Sequence, residues 1–174
     1  MSSPSHKHCE RALRAAEGYL QLDMAGHALR ELSAIAEWPV RDFAFRKLRG
    51  MARRALGSHD AAIIDLELAL NQSPGDLDVL MALAWCYKRV QRLPAAIAAM
   101  QQAYRHHAEE AVVLYNLSCY YALSGEKTQA LSWLGRALRM ESRFLAMIAE
   151  ETDFAPLRDD ADFQRLLHLV SDTE

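Results

Sequence analysis

Glycine is scarce in this chain. Seven glycines among 174 residues leave no Gly-rich loop of the kind whose backbone amides cradle a phosphate, and neither a nucleophile elbow nor a dinucleotide fingerprint is present. Proline is as thin, with five residues, so little interrupts helix. Cys9, Cys86 and Cys119 are an odd set without paired spacing, which argues against a disulfide framework and for free thiols in a reducing compartment. No stretch approaches the roughly 18 apolar residues that a membrane span needs, and residues 1–9 hold no apolar leader. A cytoplasmic protein that does not bind membrane is the expectation. A surplus of positive charge is missing too: the net charge of −3 argues against a general affinity for nucleic acid.

What the chain does have is apolar residues at 51% and charged residues at 25%, enough for a continuous core and a solvated surface in one domain's length. The apolar residues keep a period of 34. Ala28, Ala62, Ala96 and Ala130 are equally spaced, and Gly57, Gln91 and Gly125 hold the same interval in the preceding turns. In blocks of that length, 9–42, 43–76, 77–110 and 111–144, position 24 holds Leu32, Leu66, Met100 and Leu134, and position 27 holds Ile35, Ala69, Ala103 and Ala137. Spacings of four and three put these residues on one stripe of a helix. Position 8, in an earlier helix, holds Ala16, Gly50, Ala84 and Ser118, small enough for two helices to approach closely.

This pattern resembles the tetratricopeptide repeat, with a bulky residue at 4, Leu at 7, small at 8, Tyr at 11, Ala at 20 and 27, and Pro at 32. Tyr19, Tyr87 and Tyr121 match position 11, Pro74 stands at 32, and Pro39 falls one place early. The resemblance covers about 9–144 and implies an all-α right-handed superhelical solenoid of four helical hairpins. First helices are expected near 9–22, 42–56, 76–90 and 110–123, and second helices near 26–36, 60–71, 94–106 and 127–139. Asp76 and Asp60 suit helix starts, and Pro94 suits a first turn. Residues 1–8 read as a flexible terminus. Residues 145–174 read as capping helices of the same domain, with Phe144, Leu145, Met147 and Ile148 on one apolar face and Phe163, Leu166, Leu167 and Val170 on another after a capping Asp160. The string from Asp153 to Phe163 resembles a tail that follows the repeats of many bacterial members of the family, which suggests a bacterial origin.

In that family positions 2, 5, 9 and 12 of the first helices line a concave groove. The resemblance therefore makes Lys47, Met51, Arg54, Met81, Trp85, Lys88, Tyr115 and Cys119 groove residues, joined by the neighbouring Arg89 and Asn116. Such a groove is basic and apolar together. It suits another protein or a peptide with acidic and hydrophobic residues, Trp85 and Tyr115 giving rigid contact area and the methionines adaptable packing. The clamp for chaperone tails is largely missing: Lys47 matches it, but Met51 and Ala82 replace its asparagines. A scaffold or adaptor is the favoured reading, and a small chaperone for a secreted partner of the type III translocator kind is the alternative. Homodimerisation through the apolar edge of the first hairpin is a further option.

The second block departs from the repeat at Arg46, Arg49 and Arg53, which occupy positions 4, 7 and 11 on one helix face. Three unpaired buried arginines would be too costly. Pairing with acids such as Asp23, Glu31, Glu37 or Asp65 is favoured, with a partly exposed anion patch as the alternative. No catalytic residues, cofactor or metal are expected. His6, His8 and Cys9 offer metal-ligand chemistry without a second ligand pair, His106 and His107 fall at a turn, and Glu150, Glu151 and Asp153 read as surface charge beside another.

Overall fold

The computed structural model describes residues 6–35 and 43–171. Glu37, Pro39 and most of the expected flexible terminus lie outside the described residues. The helices are α1 (His6–Gln21), α2 (Ala25–Ser33), α3 (Phe43–Ala55), α4 (His59–Leu70), α5 (Leu77–Arg89), α6 (Leu93–His106), α7 (Ala111–Leu123), α8 (Lys127–Met140), α9 (Phe144–Ile148) and α10 (Ala161–Ser171), with a 3₁₀ turn at Thr152–Leu157. The first eight begin and end within three residues of the bounds that the repeat predicts. Two compact units divide after Gln91, inside the turn between α5 and α6.

In the first unit, α1 packs on α2, α3 on α4, and each pair on the next helix along the chain. Ala16, Ala28, Leu32, Phe45 and Ala52 form a core, with Leu13, Tyr19, Leu20, Leu29 and Leu48 against it. Ala62, Leu66 and Ala69 place the inner stripe of α4 fully inside. A buried leucine of this kind contributes about 1.5–3 kcal/mol. Gly50 makes the closest approach, since a Cβ there would lie 2.7 Å from Leu66 Cγ.

The turns repeat as faithfully as the stripes. Asp23, Gly57, Gln91 and Gly125 all adopt positive φ, at 56°, 77°, 61° and 78°. After three of them an amide reaches back five residues to close the helix end: Met24 N to Tyr19 O at 2.8 Å, Ser58 N to Arg53 O at 2.9 Å and Glu126 N to Tyr121 O at 3.0 Å. That bond satisfies a carbonyl which the helix itself leaves open. At the start of α5 the Asp76 carboxylate accepts from the Val79 amide at 2.9 Å.

In the second unit α7 packs against α6 and α8, the 3₁₀ turn lies on α7, and α9 and α10 lie on α8. Ala96, Met100 and Ala103 of α6 and Ala130, Leu134 and Ala137 of α8 are fully buried. The C-terminal segment contributes Phe144, Ile148, Phe154, Leu157 and Phe163 to the interior, while Met147, expected on the inner face of α9, is exposed. Two hydrogen bonds from the amides of Asp162 and Phe163 make Asp160 the cap of α10. Lys127, at the start of α8, donates to Asp160 at 2.6 Å and pairs with Asp162 at 2.6 Å. Arg158 donates to the carbonyls of Ala149 and Glu151, tying the loop after α9 to the turn that follows it.

Candidate functional site

The departures from the repeat meet at one acid. Asp65, on α4, is 0% exposed, and Arg46, Arg49 and Arg53 of α3 surround it with side chains 22–28% exposed. Its Oδ1 accepts from Arg46 Nη1 at 3.1 Å and Arg49 Nη2 at 2.5 Å, and its Oδ2 from Arg49 Nε at 2.7 Å and Arg53 Nη1 at 2.8 Å. The guanidinium of Arg49 also sits 4.5 Å from the centre of the Phe45 ring. One carboxylate against three guanidiniums leaves two positive charges in excess.

The groove residues of the first unit fall into two groups. Lys47 is engaged: its ammonium lies 3.0 Å from Asp76 and 2.7 Å from Asp78. Burial pulls its pKa down, but the hydrogen bonds to Asp78 and Asp76 outweigh that and hold it above the ordinary lysine value. Trp85 of α5 is the centre of the second group. The guanidiniums of Arg54, from α3, and Arg89, from α5, lie 5.6 and 5.7 Å from its ring centre, within cation–π range. The His59 ring meets the indole edge-on at 5.1 Å. Neither Arg54 nor Arg89 forms an ion pair with any described residue, and Arg54 Nε and His59 Nδ1 are buried without hydrogen-bond partners. Met51, Met81 and Lys88 are half-buried, as is Trp85. Burial pushes the Cys86 thiol up to about 11 although Arg54 pulls the other way, so Cys86 stays protonated at neutral pH. His59 belongs to this cluster without any signal in the sequence, because position 17 of the block is no groove position.

In the second unit the expectation for Tyr115 and Cys119 needs correction. They are 3% and 2% exposed, because the C-terminal segment covers their face of α7. Phe144 stacks on the Tyr115 ring at 4.7 Å and Phe154 meets its edge at 5.8 Å. Neither side chain offers an open surface to a partner, whereas Asn116 stays half-exposed beside them. Asp153, expected as surface charge, is buried. At the start of α1, His6 faces Glu10 at 3.1 Å and is highly exposed, while Cys9 is turned into the core, so imidazole and thiol do not converge. Among the described residues no helix is long and apolar enough to cross a membrane.

No family model matches the sequence, and no curated protein does. Solved structures do resemble it. A crystal structure of MamA superposes with a TM-score of 0.72 at 18% identity, over 77% of this chain and 78% of that one. The 41-to-end form of MamA from Desulfovibrio magneticus RS-1 gives 0.72 at 14% identity over 96% and 97%. A double mutant of the RS-1 protein gives 0.73 at 12% over 95% and 96%. Identities this low carry the fold alone, and the fold is that of an all-helical, tetratricopeptide-like solenoid.

Proposed function

We propose that this chain is a protein-interaction scaffold or adaptor that takes a partner segment with acidic and hydrophobic residues against α3 and α5. One observation carries the reading: Arg54 and Arg89 stand over Trp85 with no acid of their own among the described residues. Arg and Trp are the side chains that most often anchor an interface, and here they are fixed on helices, so little ordering entropy is lost on binding. An acidic side chain between the two guanidiniums pairs with their charge, and an apolar neighbour packs on the indole, Met51 and Met81. The bank of Arg46, Arg49 and Arg53 supplies a second, net positive anchor for the same kind of segment. Lys47 contributes less than its position suggests, since Asp76 and Asp78 already match its charge.

A random peptide library displayed against the tag-free chain tests this. Enriched sequences are expected to place Asp or Glu beside Leu, Phe or Trp. Charge-assisted hydrogen bonds contribute about 1.5–3 kcal/mol each, so the double variant Arg54→Glu with Arg89→Glu is expected to weaken the best peptide by tenfold or more. Unchanged affinity in a variant that keeps its helical signature sinks the proposal and moves attention to the outer helices. A natural partner that aggregates unless this chain is present would mark a chaperone rather than a scaffold.

A further inference from the structure

The arginine bank on α3 holds more positive charge and more open donors than Asp65 can take. Both oxygens of that buried carboxylate are already filled, Oδ1 by Arg46 and Arg49 and Oδ2 by Arg49 and Arg53. Arg53 Nη1 also donates to the Ala61 carbonyl at 3.3 Å. What remains is Arg46 Nε and Nη2, Arg49 Nη1, and Arg53 Nε and Nη2, none of which donates to a described residue. Among the described residues of the first unit, the buried side-chain nitrogens without a partner are Arg54 Nε and His59 Nδ1, so the remaining donors of the bank reach solvent. No described acid other than Asp65 forms an ion pair with the three. The forks are also held still. Phe45, itself 4% exposed, lies against two of them, with its ring centre 5.6 Å from the Arg46 guanidinium carbon and 4.5 Å from that of Arg49. A ligand therefore meets donors that are already ordered, and little freedom is lost on binding.

We propose that Arg46, Arg49 and Arg53 form a binding site for a phosphate-type dianion, with Asp65 fixing the three guanidiniums from the buried side. This deepens the reading of the bank as an anchor, and rests on it only in taking that face as open to a partner. Charge selects the class. Two positive charges in excess are matched by one dianion, and a phosphoryl group carries about −1.5 to −2 at neutral pH on three acceptor oxygens. A carboxylate brings one charge and two oxygens, which leaves one guanidinium charge and several donors unanswered. Planar forks also take phosphoryl oxygens in pairs, which an ammonium does not. A phosphorylated side chain and free phosphate share this chemistry, and α4 separates them. Leu68 follows Asp65 by one helical turn and Ile64 precedes Leu68 by another, so both lie on the strip beside the acid, and they are 40% and 59% exposed. A phosphorylated segment covers that apolar strip as well; free phosphate does not.

The full chain labelled with nitrogen-15, titrated with sodium phosphate in about 150 mM chloride at neutral pH, reports on the site through the Nε–Hε signals of Arg46, Arg49 and Arg53. Saturable shifts of these signals are expected, with phosphate binding at least tenfold tighter than acetate. Arg46→Gln with Arg53→Gln should keep the helical signature and weaken phosphate tenfold or more. If that pair does not fold, Arg46→Gln alone, which removes a single hydrogen bond from Asp65, decides by a loss of about threefold or more. Arg54→Gln with Arg89→Gln should leave phosphate affinity within about twofold, since screening confines the effect of those charges to their own surface. A capped Leu-phosphoserine-Leu peptide that binds tighter than phosphate assigns the group to a phosphorylated segment, and equal or weaker binding assigns it to free phosphate. Absence of a saturable shift, acetate binding as tightly as phosphate, an unaltered affinity in the folded Arg46 and Arg53 variants, or an equal loss in the Arg54 and Arg89 variant overturns the proposal. Failure here leaves the Trp85 surface untouched, because that surface is tested by acidic peptides on Arg54 and Arg89.

Discussion

Asp65 holds Arg46, Arg49 and Arg53 because neither side has a cheaper arrangement. A fully buried carboxylate needs hydrogen bonds and positive charge, and three guanidiniums on one helix face repel each other unless something negative sits between them. Removing the carboxylate therefore does more than delete four hydrogen bonds. Asp65→Ala is expected to cost about 2–4 kcal/mol, somewhat under the value for a wholly buried pair, since the arginines are a quarter exposed and can turn outward. Urea unfolding followed by circular dichroism reads this directly, and a loss below about 1 kcal/mol would mean that the arginines are already solvated. The sequence marks these three positions as the break in the repeat but names four acids as partners. Only the crossing of α3 and α4 singles out Asp65. Tyr115 fails as a groove residue for a similar reason of neighbourhood: the repeat assigns its position, but Phe144 and Phe154 beyond the last repeat decide whether that position is open.

At the scale of the element, the 34-residue period was legible because it records a geometric need in each turn. Asp23, Gly57, Gln91 and Gly125 occur at that period and all adopt the left-handed conformation, which costs a residue with a Cβ about 1 kcal/mol and glycine almost nothing. Two of the four turns are therefore strained at a residue other than glycine. Gln91→Gly is expected to raise stability by about 0.5–1 kcal/mol, after allowing for the greater freedom glycine gives the unfolded chain, and to move Tm up by a few degrees. Gly125→Gln is the converse and should lower it. If Gln91→Gly lowers Tm, its side chain contributes more than its backbone costs. Helix starts were less legible than helix ends. Asp76 and Asp160 cap as their spacing suggests, yet α2, α4, α6 and α8 begin without a side-chain cap. There the start follows from the tight turn and from packing, neither of which a residue type announces.

For the molecule as a whole, packing patterns were readable and convergent clusters were not. A stripe such as Ala130, Leu134 and Ala137 lies within one helix, so its spacing alone reveals it. Trp85 with Arg54 and His59, or Tyr115 with Phe144 and Phe154, join residues from elements far apart in the chain, and no linear spacing encodes that. The C-terminal closure is of the second kind and can be tested by pH. Lys127 bridges Asp160 and Asp162. Its hydrogen bonds are the main cause holding both carboxyls below their ordinary 3.8, with Arg165 assisting at Asp162. The same bonds raise Lys127 above its ordinary 10.5. A lowered carboxyl contributes stability above its unfolded value and loses it as pH falls through its folded value, so the bridge fades in acid below about 3.8. A raised lysine contributes below 10.5 and loses that contribution as pH climbs beyond it. Between these limits the contribution is flat. Lys127→Ala should thus melt below the parent chain by a constant margin from about pH 5 to 9, and the margin should close on both sides as acid or base removes the bridge from the parent. Other titrating groups act on both proteins and cancel in the difference. Thermal melts of the pair at intervals from pH 2.5 to 11 measure it, and a margin that does not change with pH would show that the bridge on the surface of this cap contributes packing and not charge.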